Sequence, residues 1–110
     1  MIIATVKIMP LKEKRQDVLE ILLSIKEPVM AELGCLDCCL YQENCEEQSI
    51  LYVEHWRSMA DFEHHIKGNN YSKILEVMEL SSRRPEVSFH TTSKTWSLEL
   101  VERLRAVNWN

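Results

Sequence analysis

Apolar residues along this chain switch repeatedly between a spacing of two and a spacing of three to four. The order of those switches limits the folds open to it. Residues 2–9 are apolar and rich in β-branched side chains, the pattern of a strand, and Pro10 ends it. From about Leu11 the period changes. Val18, Leu22, Ile25 and Val29 predict a helix with one buried stripe, which Gly34 stops. Pro28 predicts a kink in that helix, or a second short turn opening on the proline. Residues 35–43 and 49–57 read as two strands joined by a polar turn at 44–48. Ser58 with Asp61 makes a capping-box pattern ahead of a helix over Met59–Ile66. Gly68-Asn69-Asn70 interrupts it, and Tyr71, Ile74, Leu75 and Met78 mark one face of a further helix ending near Ser81-Ser82. Residues 86–96 alternate as a fourth strand. Ser97 then caps a last amphipathic helix carrying Leu98, Val101 and Leu104. The result is an α+β, ferredoxin-like β-α-β-β-α-β order with a split second helix. Residues 1–96 form the domain and 97–110 a helical extension of it.

Two helices cover only one face of a four-stranded sheet. Yet strand one (Ile2, Ile3, Ala4) and strand two (Cys35, Leu36, Cys38, Cys39, Leu40) are apolar on both sides. A two-fold homodimer, sheet against sheet, buries the second face and is the expected assembly. Nucleic acid and membrane are not expected partners. The net charge is −4, from 13 basic and 17 acidic residues, and the basic ones are dispersed apart from Lys12-Lys14-Arg15 and Arg83-Arg84. No secretory leader pattern and no run of transmembrane length is present, so the expected location is cytoplasmic.

The run Cys35-Leu36-Asp37-Cys38-Cys39 looks like a redox or zinc motif, but metal-binding CxxC pairs sit on tight turns and this one reads as strand. Alternation predicts Cys35 and Cys38 on opposite faces. It puts Cys35 and Cys39 on one face about 13 Å apart, too far for a disulfide. They read as small core residues in a reducing cell, and Cys45, at the hairpin, as an exposed thiol. There is no phosphate loop, no GxGxxG and no GxSxG, and the adjacent His64-His65 cannot share a metal as an i, i+4 pair would. Neither a metal nor an organic cofactor is expected.

Among residues able to carry chemistry, His65 borders the apolar stripe with Phe62 and Ile66, while His64 points to solvent. It reads either as a half-buried histidine bonded to backbone or as a pocket base. Glu54 and Trp56 share a face of strand three with Tyr52 and Ile50. The plain reading is a core tryptophan beside a partly solvated glutamate. Tyr71 follows the Gly68-Asn69-Asn70 break and can pack or donate. His90 and Thr92 lie opposite Val87 and Phe89 on strand four, solvated or facing a partner.

Three pieces occur in order: Gly34-Cys35 leading to Tyr41, Glu54-x-Trp56, and Ala60-x-Phe62-x-x-His65. The last two together read E-x-W-x-S-x-A-x-F-x-x-H. This resembles the antibiotic biosynthesis monooxygenase family, quinol monooxygenase-like proteins that form dimeric α+β barrels, over most of the chain. The resemblance implies a homodimer and a cofactor-independent oxygenase acting on a small phenolic, quinol or anthrone-like aromatic. His65 falls on the histidine that many members carry nine residues after the strand-ending tryptophan, here Trp56. It would serve as base or anion partner, with Tyr71 as donor, Trp56 as wall, and Glu54, Phe62 and Asn70 lining the substrate site. Asn70 stands where several relatives have a second histidine, so a two-histidine site is not expected. A heme-degrading branch uses a strand-one asparagine, a helix tryptophan and a later histidine. Here strand one has no asparagine, His65 takes the tryptophan position and the histidine position falls near Leu75. Heme cleavage is therefore disfavoured, although His65 or His90 remains able to bind heme. A non-catalytic binder, or an isomerase-like enzyme on a small polar metabolite, is the other alternative. A polar pocket of His65, Glu54 and Asn70 would favour it, and an apolar slot the oxygenase.

Overall fold

Period-two and period-three-to-four stretches meet along one layer boundary in the computed structural model, which describes residues 1–44 and 48–109. The elements are β1 (Ile2–Ile8), a 3₁₀ turn (Lys12–Lys14), α1 (Arg15–Met30), β2 (Cys35–Gln42), β3 (Ile50–Trp56), α2 (Met59–Ile66), α3 (Asn69–Glu79), β4 (Glu86–Thr91) and α4 (Leu98–Arg105). The strands form one antiparallel sheet in the order β2-β3-β1-β4. This is the ferredoxin-like α+β architecture. Most of the expected 44–48 turn, and Cys45 with it, lies outside the described residues. No described helix is long and apolar enough to cross a membrane.

The core follows from the two periodicities. Ile2, Ala4, Val6 and Ile8 of β1 point inward, as do Ile50, Tyr52 and Trp56 of β3. They meet the α1 stripe of Val18, Leu22, Ile25 and Val29, together with Phe62 of α2 and Ile74 and Val77 of α3. Each such aliphatic burial contributes about 1.5–3 kcal/mol. The α2 start is capped as its sequence predicts: the Asp61 amide donates to Ser58 Oγ at 3.2 Å.

Five expectations need correction. Helix α1 runs through Pro28 to Met30. The proline sits in the last turn, where it deprives only the Ser24 carbonyl of a helical donor. Leu75 is half exposed, and the buried α3 stripe is Tyr71, Ile74 and Val77. The break between α2 and α3 falls at Lys67 and Gly68, so Asn69 and Asn70 already belong to the helix. β4 stops at Thr91 rather than at residue 96, because its ladder partner among the described residues, β1, begins at Ile2 opposite Thr91. Ser97 precedes α4, but its side chain makes no capping bond.

A further correction concerns the cysteines. The β2–β3 register pairs Cys35 with Trp56 but Asp37 with His55, so Leu36 is an extra residue in a bulge. Directly opposed residues share a face, which puts Cys35 and Cys38 together on the inner face with Trp56 and Glu54. Cys39 pairs with Val53 and faces the other way. Burial, and then the neighbouring Cys38, push the Cys35 thiol up to about 12. Burial pushes Cys38 up to about 11, against a hydrogen bond to Tyr52 that lowers it. Both are protonated core thiols, consistent with the packing role expected of them.

Gly34 sets the geometry that matters for the site. Its φ of 86° is a left-handed conformation, and a Cβ there would collide with the Asp61 side chain. The Arg57 amide donates to the Gly34 carbonyl at 2.8 Å. This close approach pins the end of the α1–β2 connection, including Glu32, against the start of α2.

Candidate functional site

A carboxylate 2% exposed, like Glu54, needs donors to replace water, and the strand period supplies two of them. Tyr52 and Trp56 flank it on the same face. The Tyr52 hydroxyl donates to Glu54 Oε2 at 2.5 Å, and the Trp56 indole N–H to Oε1 at 2.9 Å. The third donor comes from α2: His65 Nε2 lies 3.0 Å from Glu54 Oε2. Behind Tyr52, the Cys38 thiol donates to its hydroxyl oxygen at 3.2 Å.

His65 is fully buried, and its other nitrogen, Nδ1, lies 2.8 Å from Glu32 Oε2. Asn70 Nδ2 donates to that same oxygen at 3.0 Å. A neutral imidazole donates from one nitrogen only, so a carboxylate oxygen on each side selects the imidazolium. Burial by itself lowers the His65 pKa. The hydrogen bond and charge of Glu54, and then those of Glu32, outweigh burial and hold it above 6.5. The ring stacks on Trp56 at 4.4 Å between centroids and meets the edge of Tyr71 at 5.4 Å. Phe62 closes a third side at 6.2 Å and itself meets Phe89 edge to face at 4.9 Å.

A charged ring whose pKa is raised on folding contributes stability in a definite window. The contribution is complete below the ordinary imidazole value of 6.5 and fades as pH rises through the higher folded-state value. Urea midpoints measured from mildly acid to alkaline pH should fall across that upper window, and His65→Leu should flatten the fall. An NMR titration placing the His65 transition at or below 6.5 would overturn this assignment.

The structure brings together most of the residues singled out from sequence. His65 is the centre, with Glu54, Trp56, Phe62 and Tyr71 around it, and Asn70 joins through Glu32. Glu54 is not partly solvated, because three donors and the helix layer enclose it. The Tyr71 hydroxyl has no hydrogen-bond partner among the described residues, and burial followed by the Glu54 charge raises its pKa. His90 belongs elsewhere, since it pairs with Ile3 on the open face of the sheet. Glu32 was not legible. It follows the last apolar residue of the α1 stripe, and no periodicity links it to a histidine 33 residues on. Tyr52 was legible only as a face-mate of Glu54.

Chemically, the cluster is a fixed cation in a water-poor setting, with a carboxylate on each side. One of those carboxylates, Glu32, has a side chain 20% exposed and lines a surface cleft with Leu33, Ala60, Asp61 and His64.

A family model described as antibiotic biosynthesis monooxygenase matches residues 1–77. The chain is similar to the solved structure of Rv0793 from Mycobacterium tuberculosis, at 23% identity and a TM-score of 0.78, covering 87% of this chain and 98% of that one. It is similar to a conserved protein from Methanosarcina mazei Go1, at 22% identity and a TM-score of 0.76, covering 84% and 92%. At such identities these structures show a shared fold. The uncharacterised protein sll1783 of Synechocystis sp. is 23% identical over 94 residues, or 84% of this chain, and the chain spans 63% of that relative's length.

Proposed function

Because the chain belongs to the antibiotic biosynthesis monooxygenase family, we propose that it oxygenates a small phenolic, quinol or anthrone-like aromatic without a bound cofactor. Such a substrate supplies its own electrons. A quinol hydroxyl loses its proton and the electron-rich anion reduces oxygen. One oxygen atom joins the ring and the other leaves as water, so quinol plus O2 gives hydroxyquinone plus H2O. The protein's part is to favour the anion and to keep water away.

The observation that carries this reading is the buried His65 imidazolium between Glu54 and Glu32. Its positive charge is the anion partner. Tyr71, held protonated and with an uncommitted hydroxyl, is the donor. Trp56 and Phe62 are the apolar walls that keep the imidazolium dry, while Glu54 and Asn70 fix the charges around it. A second copy covers the open sheet face, where Ile3, Leu51 and Val53 stand among polar neighbours, and the homodimer works in the cytoplasm.

The test is oxygen uptake with reduced menadione in the absence of metal and flavin. His65→Ala should slow it by about 100-fold, the lower end of the loss when one charged or polar group stabilising a developing oxyanion is removed. An unchanged rate in that variant removes His65 from the mechanism. No uptake by the unsubstituted protein with any quinol removes the oxygenase.

One observation favours a second reading. His65, Glu54 and Asn70 are joined through Glu32 into a single polar network, a better match to a binder or isomerase-like enzyme acting on a polar metabolite. Saturable binding of hydroxylated, non-aromatic metabolites in a protein that consumes no oxygen would select that alternative.

A further inference from the structure

Glu32 belongs both to the buried network and to an open cleft of about 400 Å³, which it lines with Leu33, Ala60, Asp61 and His64. Its two carboxylate oxygens differ. Oε2 is held by His65 Nδ1 at 2.8 Å and Asn70 Nδ2 at 3.0 Å, whereas Oε1 has no partner among the described residues. A carboxylate anchored through one oxygen presents the lone pairs of the other in a fixed direction. Asp61, the second acid of the cleft, is already engaged by Arg57 at 2.8 Å and by the Ser58 hydroxyl at 3.0 Å. Leu33, 73% exposed, and the small Ala60 give the cleft an apolar lining. The cleft volume is within the range of small-molecule sites.

The geometry points to Glu32 as the catalytic residue that grips the substrate's ionisable hydroxyl, with the aromatic ring lying on Leu33 and Ala60. This assignment rests on the aromatic-substrate reading above. The substrate O–H donates to Oε1, its proton passes to that oxygen, and the bonding electron pair stays behind as the phenolate. No electron is exchanged in this step. His65 is not the acceptor, because a carboxylate occupies each of its nitrogens. It is a positioning residue that holds Oε2 and leaves Oε1 to take the proton: Glu54, His65 and Glu32 together go from −1 to neutral as the proton arrives. The phenolate therefore forms beside a neutral group with an imidazolium behind it, and not beside an anion.

The test compares naphthol with its methyl ether, which has the same ring and no hydroxyl proton, by NMR titration of the full-length protein without oxygen. Naphthol should shift the amides of Leu33, Ala60 and His64 and bind at least about tenfold more tightly than the ether, as a charge-assisted hydrogen bond requires. Glu32→Gln keeps an oxygen acceptor for Asn70 while removing the charge, and it should bring the two ligands within about twofold. The Trp56 indole N–H signal, unmoved, would certify that the core of that variant is intact. Naphthol that leaves the cleft amides unshifted, or a preference that survives in Glu32→Gln, overturns the assignment. Quinol oxidation with no shift at the cleft removes Glu32 and spares the oxygenase. Discrimination at the cleft without quinol oxidation spares Glu32 as the hydroxyl-binding group and removes the oxygenase.

Discussion

Glu54→Leu should lower the unfolding free energy by about 3–5 kcal/mol, the cost of breaking a buried ion pair by deleting one partner. The residue is 2% exposed and accepts from Tyr52, Trp56 and His65. Leucine fills roughly the same volume, so the loss is electrostatic. A hydroxyl, an indole N–H and an imidazolium N–H are left facing hydrocarbon, and each unsatisfied donor carries about 1–3 kcal/mol. For a domain of this size the whole stability is about 5–15 kcal/mol, so much of it is at risk. The companion variant is the sharper measurement. In Glu54→Leu with His65→Leu the imidazolium N–H stranded by the first change is gone, and the pair should cost less than the sum of the single changes, by more than about 1 kcal/mol. Equilibrium urea unfolding of the four proteins measures both quantities. A single variant within about 1 kcal/mol of the original would mean that the carboxylate is not enclosed as described.

The parts of this arrangement that obey a local period were legible in the sequence. Strand alternation put Tyr52, Glu54 and Trp56 on one face, and the α2 period turned His65 inward and His64 outward. What the period cannot carry was missed. The Leu36 bulge moved Cys35 onto the face of Cys38, because one extra residue reverses every later side chain in a strand count. Pro28 near a helix end is tolerated where mid-helix proline is not, and only the position of the true end, Met30, decides which case applies. The length of β4 was set by where its neighbour begins, a tertiary fact. Glu32 reached the site through the left-handed turn at Gly34. The glycine could be read as a helix stop, but not the direction in which the chain then leaves.

Trp56→Ala should cost about 3–5 kcal/mol, as deletion of a fully buried aromatic does when the surroundings relax only in part. Collapse is resisted on every side. The backbone pairs with Ile2 and Cys35, the ring stacks on His65 at 4.4 Å, and Phe62 sits 6.2 Å away. Trp56→Phe separates the two jobs of the indole. Phenylalanine keeps a flat surface against the imidazole but cannot donate to Glu54, which retains two donors, so its cost should be near the 1–3 kcal/mol of one lost buried partner. Thermal and urea unfolding give the order, and an alanine variant no less stable than the phenylalanine one would refute the packing role. The same comparison bears on chemistry. If the wall matters because it keeps water from the imidazolium, Trp56→Phe should retain far more quinol oxidation than Trp56→Ala under conditions where both are folded. A cavity beside a buried charge admits water, and water weakens the field that the site would use against a developing anion.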